Sequence, residues 1–142
     1  TLDGANVEID ERVGRDNIFI FGLTADEVME RKRAGYDARA AAAASPELRG
    51  ALDAIASGVF SPGDPGRYRG LVEGLMHDDR YLVTADFDSY NTRQRDVASR
   101  WSQPDAWWRS AVLNTAHVGW FSSDRTIREY AADIWGVSAD GF

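Results

Sequence analysis

The chain has 142 residues, with 16 Lys plus Arg against 23 Asp plus Glu, a formal net charge of −7 and 44% hydrophobic residues. One domain of this length buries roughly two thirds of its unfolded surface, and the acidic balance argues against the basic stripe that displaces counterions from nucleic-acid phosphates. The absence of cysteine excludes disulfides, thiolate chemistry and Cys-ligated zinc or iron–sulfur centres. The purely apolar runs are a few residues long, far short of a membrane span, and no charged-then-apolar leader opens the sequence; both point to a cytosolic chain.

In chain order, Val7 to Val13 reads as a short helix ended by Gly14, a residue suited to a left-handed terminus. The run Ile18-Phe19-Ile20-Phe21, closed by Gly22, has the continuous apolar character of a strand covered on both faces. A single turn of buried helix is the alternative for so short a run. Thr24 caps a helix over Asp26 to Ala34, stopped by Gly35. Ala40 to Ala44 is helix filler, and Pro46 opens a helix whose Leu48, Leu52, Ile55 and Val59 recur at helical spacing. A turn-rich loop from Ser61 to Gly66 follows. Tyr68, Leu71, Val72, Leu75 and Met76 then line one helix face, and Tyr81-Leu82-Val83 reads as an extended link.

Three longer helices complete the pattern. One, capped near Asp86, is expected to bury Phe87, Tyr90, Val97, Ala98 and Trp101. Another starts at Pro104 with Trp108, Ala111, Val112 and Thr115 on one face. The last is capped by Ser123, carries Asp124 at the positive end of its dipole and Ile127, Tyr130, Ala131 and Ile134 on its apolar stripe, and stops at Gly136. The expected architecture is an α/β fragment, mostly helical, with one core strand near Ile18–Phe21 followed by about six helices. A lone core strand cannot satisfy its own backbone groups, so its partner strands are expected N-terminal to Thr1.

No complete active site is spelled out. His77 sits in the last turn of its helix and His117 late in the tryptophan-bearing helix, neither with a second His at ligand spacing, so no metal site is expected. Asp78 with Asp79, and Asp86 with Asp88, are conceivable acid/base pairs for glycoside hydrolysis; carboxylates at helix ends more often cap. Asp79-Arg80 and Asp124-Arg125 read as surface charge pairs. Trp101, Trp107, Trp108, Trp120 and Trp135 raise sugar stacking, against which their helical spacing favours packing. No Ser-His-Asp set, nucleophile elbow or glycine-rich phosphate loop occurs.

Several blocks, in order, resemble α-glucan phosphorylases: Thr1-Leu2-Asp3-Gly4-Ala5-Asn6-Val7-Glu8-Ile9 and Asn17-Ile18-Phe19-Ile20-Phe21-Gly22 match the segment after the cofactor lysine. Ser57-Gly58-Val59-Phe60-Ser61-Pro62, Asp79-Arg80-Tyr81-Leu82-Val83 and Ala85-Asp86-Phe87-Asp88-Ser89-Tyr90 continue the likeness. Phe121-Ser122-Ser123-Asp124-Arg125-Thr126-Ile127, Tyr130 and Ile134-Trp135-Gly136-Val137 complete it. The resemblance implies the C-terminal portion of a glycogen, starch or maltodextrin phosphorylase. That places the chain at the end of the second Rossmann-like domain of a glycosyltransferase B-type fold, with residues 1–22 ending the sheet and 23–142 forming the helical C-terminus.

The implied parent activity is transfer of a terminal α-1,4-linked glucosyl unit to inorganic phosphate, giving glucose 1-phosphate, in a cytoplasmic homodimer with possible allosteric control. It uses pyridoxal phosphate, whose phosphate group, with a second pKa near 6, exchanges protons close to neutral pH. In the family pattern the Schiff-base lysine, the glycine-rich turn and the basic residues for substrate phosphate all lie upstream of Thr1. Lys32, the one lysine here, does not match them. No catalytic, cofactor-binding or metal residue is therefore expected in this chain, which alone should be inactive and bind no pyridoxal phosphate. Asp3 and Asn6 come nearest the missing site, either holding the loop that leads from the lysine or capping the turn into Val7. As a fragment the chain is expected to self-associate. Two other classes are a freestanding helical interaction module and a small hydrolase built on Asp86 and Asp88.

Overall fold

The computed structural model describes residues 4–138. The chain divides into two compact units, one over Ile20–Ala98 and the other combining Gly4–Phe19 with the residues from Ser99 onward.

In the first unit, Thr24 accepts from the Glu27 N–H at 3.3 Å while Glu27 accepts from the Thr24 N–H at 2.8 Å, a reciprocal cap that starts α2 (Ala25–Ala34). Gly35 ends it in the left-handed region, where a side chain would be strained. The alanine patch is a helix of its own, α3 (Ala38–Ala44), because the Asp37 carboxylate accepts from the Arg39 and Ala40 N–H groups. Ser45 and Pro46 start α4 (Pro46–Ala56) in the same way. Ala42, Leu48 and Leu52 form the centre of the core, with Val72, Leu75 and Met76 from α5 (Arg69–Asp78) and Phe87 from α6 (Val83–Trp101) packed against it. The small side chain at Ala42 leaves room for the leucines and for α5. Val59 lies past the end of α4 and is exposed, so it belongs to no helical stripe.

The segment Ile18–Phe21 does not form the expected strand. Among the described residues there is no strand, only a single bridging residue at Thr24. The run is half-buried irregular chain, extended at Ile18 (φ −138°, ψ 146°). The physical reason is supply: among the described residues no second strand lies beside it to pair with. Its end within the first unit is held instead by side chains of α6. Arg93 Nε donates to the Ile20 carbonyl at 2.9 Å, the Gly22 N–H donates to Ser89 Oγ at 3.0 Å, and the Leu23 N–H donates to Asp86 Oδ1 at 2.8 Å. Positions 86, 89 and 93 fall on one face of a helix, so one stripe meets one stretch of backbone.

In the second unit, α1 (Gly4–Val13) ends at Gly14 (φ 84°) and leads into a 3₁₀ turn at Arg15–Asn17. Asn17 Nδ2 donates to the Val13 carbonyl at 2.6 Å, satisfying a terminal acceptor. The last three residues of α6 belong to this unit, followed by α7 (Pro104–His117), a 3₁₀ turn at Val118–Phe121 and α8 (Ser123–Glu129). A π-helical turn, Tyr130–Trp135, continues from α8 and stops at left-handed Gly136. The cap of α8 falls on Ser122 rather than Ser123, and its side chain makes no capping bond.

The sequence pattern places more aromatic surface inside than the structure does. Val13 and Ala131 are buried in this unit, whereas Trp101, Trp108, Val112, Ile127 and Tyr130 lie open, with Trp108 and Ile134 each 65% exposed. Helical periodicity locates these residues on a stripe; it does not supply the surface that the stripe packs against.

Candidate functional site

The carboxylates that suggested acid/base chemistry are occupied by structure. Asp79, 7% exposed, is the cap of α6, in place of Asp86. Its Oδ1 accepts from the Val83 N–H at 2.8 Å, and its Oδ2 accepts from the Thr84 N–H at 2.8 Å and the Thr84 hydroxyl at 2.7 Å. The Tyr36 hydroxyl donates to the same Oδ2 at 2.9 Å and also meets Thr84 Oγ1. Tyr81-Leu82-Val83 is thus not a plain extended link. Leu82 adopts φ 55°, rare for a residue with a γ-branched side chain, and is 1% exposed, while Val83 already opens the helix. Burial and the Asp79 cap hold that conformation.

Burial raises the Tyr36 hydroxyl above its ordinary pKa, reinforced by its bond to the Asp79 carboxylate and opposed by Thr84. The unfolded phenol therefore ionises first as pH rises. Stability from this group is complete below the unfolded value of 10.0 and is lost as pH climbs through the raised folded value. Alkaline titration should show a tyrosine ionising above the ordinary phenol range, and Tyr36→Phe should remove that late step from the absorbance difference spectrum.

Asp86 and Asp88 are two apart on α6 and project from different sides of it, so they cannot work as a facing pair. Asp86 receives the Leu23 N–H, and Asp88 Oδ1 accepts from the Ser45 hydroxyl at 2.6 Å. Asp78 ends α5 beside Asp79. His77 Nδ1 donates to the Glu73 carbonyl at 2.8 Å, which leaves Nε2 to accept from the Arg39 guanidinium. His117 is the last residue of α7. Among the described residues, no three His, Asp or Glu side chains are grouped to hold a metal ion. Asn6 lies within α1, which begins at Gly4, so it does not cap a turn into Val7; Asp3 lies outside the described residues.

The charge and tryptophan positions also separate. Arg125 pairs with Glu129 rather than with its neighbour Asp124, and its guanidinium lies 3.8 Å from the Trp120 ring centroid, with Arg12 at 3.6 Å. Trp101 meets Trp107 edge-on at 4.9 Å, and Trp135 meets Tyr130 at 6.1 Å. Five tryptophans therefore do not make one platform.

Sequence reasoning missed the roles of Tyr36, Thr84, Ser89 and Arg93. The polar 86, 89, 93 spacing on a helix was the available signal for two of them. The block Ala85 to Tyr90 now has a physical account: Asp86 and Ser89 hold Gly22 and Leu23, Asp88 holds Ser45, and the Tyr90 ring meets Phe21 at 5.3 Å.

Residues 1–137 match the family model described as carbohydrate phosphorylase. The chain is 49% identical over 137 residues to the glycogen phosphorylase of Haemophilus influenzae, covering 96% of this chain and 17% of that protein. It is 47% identical to the human brain form of glycogen phosphorylase and 47% identical to the glycogen phosphorylase of Synechocystis, each match covering 96% of this chain and 16% of the relative. The chain thus spans about one sixth of the length of these relatives. A match along nearly the whole chain, through the same blocks that stitch Gly22 and Leu23 to α6 and cap α6 with Asp79, makes the conclusion plain: the chain belongs to the carbohydrate phosphorylase family.

Proposed function

We propose that the chain is the C-terminal segment of a pyridoxal-phosphate-dependent α-1,4-glucan phosphorylase, placed at the end of its second Rossmann-like domain. In this reading the parent is a cytoplasmic homodimer that moves a terminal glucosyl unit to inorganic phosphate and releases glucose 1-phosphate. Residues 1–22 follow the cofactor lysine and end the parent's sheet, so Ile18–Phe21 gains its strand partners from polypeptide outside this chain. The segment itself contributes position rather than chemistry.

The observation that carries this reading is where the polar side chains of the matched blocks are spent. Asp79, Asp86, Asp88 and Ser89 hold backbone or hydroxyl groups within the chain, so these four side chains serve to position other parts of it. Lys32 does not fit the cofactor. Pyridoxal phosphate needs a lysine amine for its aldehyde and a cradle of amides or cations for its phosphate. The Lys32 Nζ donates to the Arg80 carbonyl at 3.2 Å from an exposed position, beside a cleft that Asp78 and Asp79 also line. The two carboxylates offset the charges of Arg80 and Lys32 on the same cleft, which leaves no net cationic cradle there for a phosphate dianion.

Pyridoxal phosphate added to the 142-residue chain, followed by borohydride reduction and peptide mass mapping, should give no stoichiometric adduct at Lys32. In the polypeptide extended upstream, the adduct should fall on a lysine preceding Thr1. A one-to-one adduct at Lys32 would falsify the reading. The apolar faces of α7 and α8 support a second expectation: without their covering polypeptide they associate with each other, so light scattering of the isolated chain should give dimers or larger species. A monodisperse monomer at high concentration would count against it.

A further inference from the structure

Within the second unit, the Trp120 ring centroid lies 3.6 Å from the Arg12 guanidinium and 3.8 Å from that of Arg125. Two planar cations that close to one centroid would collide on a single face, so they grip the indole from opposite faces. Arg12 stands in the last turn of α1, whereas Trp120 lies in the 3₁₀ turn between α7 and α8. We propose that α1 is a strap and the gripped Trp120 its clasp: α1 stays folded only while the ring is held, and it releases without unfolding α7. The contacts lie within this chain and go beyond the phosphorylase reading. On that reading the strap is the stretch that follows the cofactor lysine, and the clasp ties it to the turn ahead of α8.

The 10 residues of α1 are too few to persist as a helix alone in water, where isolated helices shorter than about 12 to 15 residues are marginal. Its own burial adds little. Val13 is its one fully buried side chain, with Asn6, Ile9 and Asp10 half-buried. Past its C-terminal end, Asn114 Nδ2 of α7 donates to the Asn17 carbonyl at 3.3 Å, and Asn17 Nδ2 donates to the Val13 carbonyl. Arg12 forms no ion pair among the described residues, so its charge is spent on the ring. Arg125 backs the other face from a fixed position, because its Nε donates to the Trp120 carbonyl and its Nη1 pairs with Glu129. The indole is thereby braced against its own turn, with one face left for Arg12. A guanidinium is suited to this, being planar and weakly hydrated. Trp120 remains 42% exposed, so withdrawing the single Arg12 side chain opens the grip without breaking a core.

Amide hydrogen exchange, followed residue by residue by NMR, tests the clasp. Trp120→Leu should speed exchange at Ile9, Asp10 and Val13 about tenfold while Ala111 and Val112 of α7 keep their rates. Arg12→Met keeps a long apolar stem and removes the charge, and should speed the same α1 amides about fivefold. Trp120→Phe retains a weaker ring and should have a smaller effect than Trp120→Leu. In the Trp120→Leu background, Arg12→Met should add nothing, because both changes remove one contact. Single effects that multiply in the double variant overturn the proposal, as does α1 exchange unchanged by Trp120→Leu. Equal acceleration in α1 and α7 also overturns it, since the ring then supports the whole unit rather than a strap. For an isolated chain without helical circular dichroism, the same variants are read in the upstream-extended polypeptide, where the same outcomes decide. The adduct mapping described above is independent of Trp120, so failure here leaves the phosphorylase reading standing.

Discussion

Asp79→Ala is expected to destabilise the chain by about 3 kcal/mol, the largest loss from any single polar side chain in the first unit. Removing the carboxylate leaves the first N–H groups of α6 without their acceptor and leaves the half-buried Tyr36 hydroxyl and the buried Thr84 hydroxyl with only each other as partners. Capping alone accounts for about 1 kcal/mol of this, and the orphaned groups for the remainder. The left-handed Leu82 adds to the effect, because its strain is tolerated only while the cap holds the following helix in place. Asp79→Asn keeps one acceptor oxygen and should cost roughly half as much. Urea unfolding followed by far-UV circular dichroism measures both. A loss below about 1 kcal/mol for the alanine variant would mean that Asp79 is only a surface cap.

Gly22→Ala comes next, at about 2 to 3 kcal/mol. Gly22 has φ +86°, and an added Cβ would lie 2.6 Å from Asp86 Oδ2. That carboxylate cannot simply swing aside, since its other oxygen holds the Leu23 N–H at 2.8 Å. A double-mutant cycle separates the two causes. In an Asp86→Ala background the steric cost disappears, so Gly22→Ala should cost only about 1 kcal/mol for the positive φ. Equal costs in both backgrounds would show that the carboxylate plays no part in closing this turn. Amide exchange at Leu23 gives a second reading, with faster exchange expected in either single variant.

Several helix starts and stops are legible from local signals, the cap of α8 being an exception. Thr24 with Glu27, Ser45 with Pro46, Gly35 and Gly136 all do what their residue types suggest. The cap of α6 was misplaced because Asp86 sits before an apolar stripe, whereas Asp79 reaches across an intervening turn that only left-handed Leu82 makes possible. Ile18–Phe21 forms no strand within this chain, for the opposite reason. Its composition speaks of strand partners, but within this chain its end is fastened by residues 63 to 73 positions away in sequence. No local window contains that information. The tryptophan faces share the difficulty: spacing shows that Trp108 and Val112 lie on one side of α7, and says nothing of what covers that side.

The candidate site followed the same division. Single residues could be graded from type and position, so Asp79 and Asp86 were weighed as caps as well as acids, and both serve backbone N–H groups. Tyr36 gave no sign of its role, since a lone tyrosine after a glycine has no pattern to read. Its partner Thr84 is 48 residues away. Family membership rests on the match over residues 1–137 rather than on any one residue, and two of the resembling blocks, 79–83 and 85–90, carry side chains that hold other parts of the chain.

The most direct test is release of glucose 1-phosphate from a maltodextrin and inorganic phosphate, with pyridoxal phosphate supplied. Only the polypeptide extended upstream through a lysine in a glycine-rich turn should catalyse it, while the 142-residue chain should give no release above the uncatalysed background. Turnover by the 142-residue chain alone, or an extended polypeptide that binds the cofactor and still has no phosphorolytic activity, would contradict the assignment.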